Sequence, residues 1–359
     1  MKKFLLLALV LVLAQSLMAG GGGQQTAPAA SGGSSSAPSS SGPYDSLQPV
    51  TLIFGSGTAP GAAGDLWGIA FCENVEKITG GKLKINYFGN SQLGVDTELQ
   101  QQMLAGDIDI VVCQPAQTTS FVKEVAVFDL PMAFAKYNAN AIDKALNDSS
   151  FTKLINEGYG KSGMICLGYL QGATFREMTS NKEVRKLADF QGVKIRTMDA
   201  KFHVMFWKSL GANPTPLPFT ELYLSLQQGV VDAQENATDT SRNAMFFEVQ
   251  KYLINTHHII YLNQFLMNKK KFDGLAPAYQ NAIRQAVAQA TAKLAPDMQK
   301  INDDNKAFMV QKGMTSIDLP ASFVDEVVAK ADEVYKAIRT EIGNNIVDAL
   351  INELKAAQK

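Results

Sequence analysis

The sequence predicts an α/β fold of two lobes with a helical C-terminal part, preceded by segments that stand outside the fold. Three observations carry this. β-rich apolar runs alternate with amphipathic helical ones from Val50 onward, the alternation restarts near Met164, and long helical stretches dominate from Pro277. The chain has 359 residues, 46% hydrophobic and 19% charged, enough for two lobes that each bury a core. Its 33 basic and 34 acidic residues nearly cancel, so no basic excess marks a nucleic-acid partner. No run of 18 apolar residues occurs, so an ordinary membrane span is not expected.

Residues 1–19 read as a secretory signal peptide. Lys2 and Lys3 form a positive start, Phe4 to Ala14 is apolar but too short to span a bilayer, and small residues follow at Ala14, Ser16 and Ala19. Cleavage fits after Ser16 or Ala19. A lipoprotein signal would need Cys where Gly20 stands, so a lipid anchor is not supported. Residues 20–46 read as a flexible linker; Gly20 to Pro43 alone holds 7 Gly and 7 Ser and no charge. Its random-coil reach is roughly 25–30 Å. Without the two signal lysines the net charge goes from −1 to −3. Cys72, Cys113 and Cys166 lie in apolar runs and read as packed thiols, with one disulfide and one leftover thiol as the other reading.

The elements follow in order. Val50–Phe54 is β-rich, and Leu66–Thr79 carries apolar residues at helical spacing until Gly80-Gly81 stops it. Lys82–Phe88 alternates as a strand, and Thr97–Ala105 is helical. Ile108–Cys113 is a nearly continuous apolar run, as in a strand buried on both faces. This order predicts a largely parallel sheet. In the second half, Met164–Tyr169, Gly192–Arg196 and Val230–Gln234 read as strands. Ala200–Leu210 reads as a helix with Asp199 as N-cap and Gly211 after its end, and Thr220–Gln228 as another. Tyr279–Leu294 and Phe323–Ile342 are long helices.

Enzyme signatures are missing. The three histidines, His203, His257 and His258, make no His-Glu-x-x-His, and neither a Gly-x-Ser-x-Gly elbow nor a phosphate loop occurs. The turn from Gly55 to Pro60 begins like a dinucleotide fingerprint, but Pro60 stands where its third glycine belongs. No enzyme activity, cofactor or metal is expected.

The informative segment runs from Gly192 to Asn236. A strand ends in Lys194-Ile195-Arg196, and a helix ends at Leu210-Gly211-Ala212-Asn213-Pro214-Thr215-Pro216. Then come Pro218-Phe219-Thr220-Glu221-Leu222-Tyr223 and Leu226 through Asn236. Together with Gly89-Asn90-Ser91-Gln92-Leu93-Gly94, Val127-Phe128-Asp129-Leu130-Pro131, Phe175-Arg176 and Phe247 through Tyr252, this closely resembles the dicarboxylate-binding (DctP) type of solute-binding protein of tripartite ATP-independent periplasmic (TRAP) transporters. The resemblance covers roughly residues 49–311.

The resemblance implies a two-lobe, periplasmic-binding-protein-like fold of type II, hinged, with a ligand cleft. Lobe 1 is expected at 47–173 plus 262–301, and lobe 2 at 174–261 plus 302–359. It also implies that Arg196 pairs bidentately with a ligand carboxylate, with Asn236 and Arg176 beside it and Phe219 packed on the ligand. A planar guanidinium fits a carboxylate with two parallel N–H donors, and a strand end facing a cleft is the usual ligand position in α/β folds. Each of the four also has an ordinary structural reading, in a local ion pair or core packing. Alignment of the first lobe places Gly57, Gln114 and Gln117 in the cleft. Sialic-acid binders of this family carry charges at the last two positions, so neutral Gln speaks against that sugar. Asp199 stands where such binders have an amide; it reads either as a helix cap or as the partner of an ammonium. Trp67 reads as core.

The expected function is extracytoplasmic capture of a small organic carboxylate (a dicarboxylate, a keto or hydroxy acid, or an amino-acid-like ligand) by a periplasmic monomer that hands it to integral membrane permease subunits. The competing reading is a sensor of the same fold coupled to a signalling protein.

Overall fold

The computed structural model describes residues 42–147, 149–171 and 174–358. The signal peptide and nearly all of the linker lie outside the described residues. No helix of the described residues is long and apolar enough to cross a membrane.

The chain opens with β1 (Val50–Ser56), α1 (Ala63–Thr79), β2 (Leu83–Phe88), α2 (Asp96–Ala105) and β3 (Ile110–Cys113). Gly80 ends α1 in the left-handed conformation at φ 58°, and Gly106 ends α2 at φ 92°; both positions favour glycine. All four residues of β3 are buried, as its unbroken apolar run predicts. Two 3₁₀ turns, α3 (Ala139–Asn147), α4 (Ser150–Lys161) and β4 (Met164–Leu170) complete the first pass.

The second sheet collects β5 (Glu177–Ser180), β6 (Lys194–Thr197), β7 (Asn213–Pro216), β8 (Ala233–Asn236) and β9 (Tyr252–Asn255). Between them lie α5 (Lys201–Ser209), α6 (Phe219–Gln227) and α7 (Thr238–Asn243). The chain then returns through β10 (Asn263–Asn268) to the first sheet and continues as α8 (Lys269–Asp273), α9 (Pro277–Leu294), α10 (Met298–Gln311) and β11 (Thr315–Asp318). The last helices are α11 (Phe323–Lys330), α12 (Asp332–Ile342) and α13 (Asn344–Ala357).

The sheet orders are β2-β1-β3-β10-β4 and β11-β9-β5-β8-β6-β7. The sheets are mixed, which corrects the largely parallel expectation. β10 runs antiparallel to β3 and β4, and β5 antiparallel to β8 and β9. The chain passes between the sheets three times, after β4, after β9 and, by way of α10, before β11. At the first two crossings Phe175 and Ile260 form an isolated antiparallel bridge, flanked by Arg176 N to Ile259 O and Tyr261 N to Thr174 O, both 2.9 Å. Two antiparallel segments therefore join the lobes, and α10 makes a third connection into β11.

Other expectations also need correction. The strand expected at Val230–Gln234 lies at 233–236; Val230 is 53% exposed, because Gly229 (φ 69°) turns the chain out of α6 and Val230 N still bonds back to Ser225 O. The helix expected over 323–342 breaks at Ala331, where Asp332 and Glu333 start a new helix with acids in its first turn. The C-terminal segment, expected in lobe 2, bridges instead: α13 packs on α3 and α4 of the first lobe, and α12 reaches both α5 and the 3₁₀ turn at Lys123–Asp129. Tyr335 donates to Pro131 O at 2.7 Å and Ser150 to Glu353 at 2.7 Å. One hydrophobic core accordingly runs from Leu99 and Val111 through Phe206 and Trp207 to Leu350 and Leu354. Cys113 is buried, Cys72 and Cys166 partly so, and all three are free thiols. Trp67 is core, its indole N–H donating to Thr291 Oγ1 at 3.1 Å.

Candidate functional site

A cavity of about 330 Å³ opens between the ends of β1 and β3 on one side and those of β6 and β8 on the other. That is the small end of the range for ligand sites. Gly57, Gln114, Gln117, Arg196, Asp199, Phe219 and Asn236 all line it; Arg176 does not.

Arg196 reaches the cavity because of local sequence. It sits in β6, paired with Thr215 of β7 and Gln234 of β8. β7 is the edge strand, the one place where Pro214 and Pro216 cost no ladder bond. Pro216 and Pro218 hold the segment between them extended and aim the Leu217 carbonyl. That carbonyl accepts from Arg196 Nε at 2.9 Å and Nη2 at 2.6 Å. Arg196 is 2% exposed, and its Nη1 has no hydrogen-bond partner among the described residues. Burial draws its pKa down to about 10, against the support of Glu235. The result is a fixed, poorly solvated cation with an unused donor.

Arg176 stands in a different setting. It is 1% exposed and forms a buried ion pair with Glu235, whose Oε1 lies 2.9 Å from Nη2. It also donates to the Glu235 carbonyl at 2.6 Å, to Asn236 Oδ1 at 3.1 Å and to Gln114 Oε1. Arg176 thus lies behind Gln114 and Asn236 and reaches the cavity only through them. Burial raises the Glu235 pKa, but Arg176, His203 and His258 outweigh it and hold the carboxylate well below the usual range. For His203, burial opposes the charge, yet Asp129 at 3.2 Å and Glu235 at 3.5 Å lift its pKa to about 9. His258 Nε2 donates to Glu235 Oε2 at 2.9 Å, and burial lowers its pKa.

This floor orients two cavity amides. Gln114 gives its oxygen to Arg176, which turns its NH₂ group away from that contact. Asn236 Nδ2 donates to Gln234 Oε1 at 2.7 Å and keeps a second hydrogen. Phe219 opens α6 and packs edge-on to Phe246, ring centroids 6.1 Å apart, so one side of it is core and another is cavity wall.

Asp199 is not a helix cap. Ala200 holds the N-cap position of α5, with no side-chain cap, and Asp199 is exposed on the cavity wall with no hydrogen bond or ion pair among the described residues.

The residue that sequence reasoning missed is Asp96. Its signal is ordinary, an acid in the first turn of a helix. In the fold it lines the cavity with Oδ1 buried and unpartnered. Burial pushes its pKa up to about 7, only partly countered by the Gly57 N–H. This explains Gly57: a Cβ there would lie 2.2 Å from Asp96 Oδ1. Tyr261 and Thr240 also line the cavity from the hinge side, without any motif to announce them.

The family model for "Bacterial extracellular solute-binding protein, family 7" (DctP) matches residues 67–341. A solute-binding protein of Verminephrobacter eiseniae is 34% identical over 254 residues, 69% of this chain and 73% of its own. The 2,3-diketo-L-gulonate-binding periplasmic protein YiaO of Escherichia coli is 29% identical over 86% of this chain and 89% of its own. Among solved structures, the sugar acid binding protein DctPAm of Advenella mimigardefordensis in complex with galactonate superposes with a TM-score of 0.81 at 29% identity, covering 86% of this chain and 99% of that one. The match over most of the chain, on a two-lobe fold with a buried arginine in its cleft, makes this protein a member of the DctP family of bacterial extracellular solute-binding proteins, which serve TRAP transporters.

Proposed function

We propose that this protein captures a small organic carboxylate outside the cytoplasmic membrane and delivers it to the membrane subunits of a TRAP transporter. The observation that carries the reading is the Arg196 guanidinium, buried, half satisfied by one backbone carbonyl, with Nη1 unpartnered in the cavity wall. A carboxylate bound there satisfies the orphaned donor and neutralises a poorly solvated cation; Asn236 and Gln114 add neutral N–H donors, and Phe219 packs against the ligand's carbon frame. The ligand meets groups from both lobes, so its binding favours the closed arrangement by population shift. Related proteins named for organic acids, galactonate and 2,3-diketo-L-gulonate among them, support the ligand class. No bond is made or broken in this cycle, and the protein acts as a monomeric carrier.

Calorimetric titration with a panel of organic acids tests the reading. The expected result is one-to-one binding that Arg196→Ala abolishes or weakens at least a hundredfold. Unchanged affinity in that variant would remove Arg196 from the site.

A further inference from the structure

We infer that this cleft is a charge filter: it accepts a small monocarboxylate whose other polar groups donate hydrogen bonds, as hydroxyl or ammonium, and rejects dicarboxylates, with Asp96 and Asp199 as the specificity-determining residues. The inference rests on the carboxylate-binding reading and narrows its ligand class.

Among the described residues only three charged side chains line the cavity: Arg196, Asp96 and Asp199. Arg196 offers a single unpartnered nitrogen, since Leu217 O takes its other two. One carboxylate satisfies it. A second carboxylate on the same ligand would find no second cation, because Arg176 is held behind the wall by Glu235.

The other two charges have the wrong sign for a dianion. Asp96 comes from the first lobe and Asp199 from the second, so both walls contribute an acceptor. Asp96 Oδ1 is buried and unpartnered, and Asp199 has neither ion pair nor hydrogen bond among the described residues. The glycine at position 57 keeps the Asp96 carboxylate in place, with no room for a side chain between them. Asp96 already resists ionisation, with a pKa near 7 set by burial. A neighbouring anion would raise that resistance further, whereas a hydroxyl or ammonium donor relieves it. An unpaired buried acceptor also discriminates strongly against ligands lacking the donor.

The test is calorimetric titration of the full chain at pH 8, above the Asp96 pKa of about 7. Matched acids of four and six carbons are compared: succinate and adipate, erythronate and galactonate, 4-aminobutyrate and 6-aminohexanoate. The expected result is at least tenfold tighter binding of a donor-bearing acid than of the dicarboxylate of equal length. Preference for the hydroxylated acid assigns a hydroxyl to the aspartates, and preference for the amino acid assigns an ammonium. The double change Asp96→Asn and Asp199→Asn should cut the preference at least tenfold, with the dicarboxylate gaining. Asp199→Asn alone, at an exposed side chain that cannot unfold the protein, should move it the same way. A dicarboxylate binding as tightly as its partners, or a preference untouched by these changes, overturns the inference alone. Failure of all six acids to bind overturns the carboxylate-binding reading beneath it.

Discussion

Arg176, immediately before β5, and Arg196, within β6, are both arginines sealed from water. Around Arg176 the fold supplies a carboxylate, a carbonyl and two side-chain amide oxygens. Around Arg196 it supplies one carbonyl and leaves a nitrogen bare. The first is a buried ion pair behind the cavity wall; the second is a buried cation with an unused donor, which the proposed function assigns to a ligand carboxylate. Residue type and burial are equal in the two regions, so function is distinguished by what remains unsatisfied.

The sharpest way to break this contrast is to remove each arginine. Arg176→Ala removes the main partner of buried Glu235, leaving it only His203 and His258, and should cost about 3–5 kcal/mol of stability, read by chemical denaturation of the unliganded protein. A cost below about 1 kcal/mol would mean that Glu235 finds its compensation elsewhere. Arg196→Ala should do the opposite. Unliganded stability holds or rises, because a desolvated cation is gone, while ligand affinity falls by about 3 kcal/mol.

Acidity tests the Arg176 region from another side. His203 has its pKa lifted from 6.5 to about 9, so its charged form is stabilised by folding. That contribution is complete below pH 6.5 and is lost as pH rises through 9, on the order of 2–3 kcal/mol. The groups facing it are Asp129, Glu235 and, through Glu235, His258. The melting temperature should fall between pH 7 and 9.5, and His203→Gln should flatten that slope; a parent profile already flat there would contradict the pairing. The smallest effect belongs to Phe219. Its replacement by Ala should weaken binding by about 1 kcal/mol, with a modest loss of stability from the Phe246 contact. Equal losses for Phe219→Ala and Phe219→Leu would point to the ring itself as the ligand contact.

Much of this was legible in the sequence. The strands with unbroken apolar runs and the helices stopped by Gly80, Gly106, Gly211 and Gly229 appear within a few residues of where pattern places them, because side-chain periodicity and left-handed turns are local properties. Arg196, Asn236 and Phe219, carried by motifs, and Gln114 and Gln117, placed by alignment, are all found on the cavity wall. β10 was not legible as the partner of β3 and β4, nor α13 as a cover for the first lobe, because those pairings join residues far apart in the chain.

The sequence alone determined the alternating elements, the lobed α/β class and the arginine at the end of β6. Only the tertiary structure decided which arginine is free. Glu235 is 59 residues from Arg176 in the chain, and the antiparallel pairing of β5 with β8 brings them together. Likewise Asp96 reads in the chain as an unremarkable helix-start acid, and becomes a buried acceptor only when Gly57 closes against it. The reason is physical. Propensity and periodicity act over a few residues, whereas desolvation and charge pairing are set by every group that folding brings within a few ångströms.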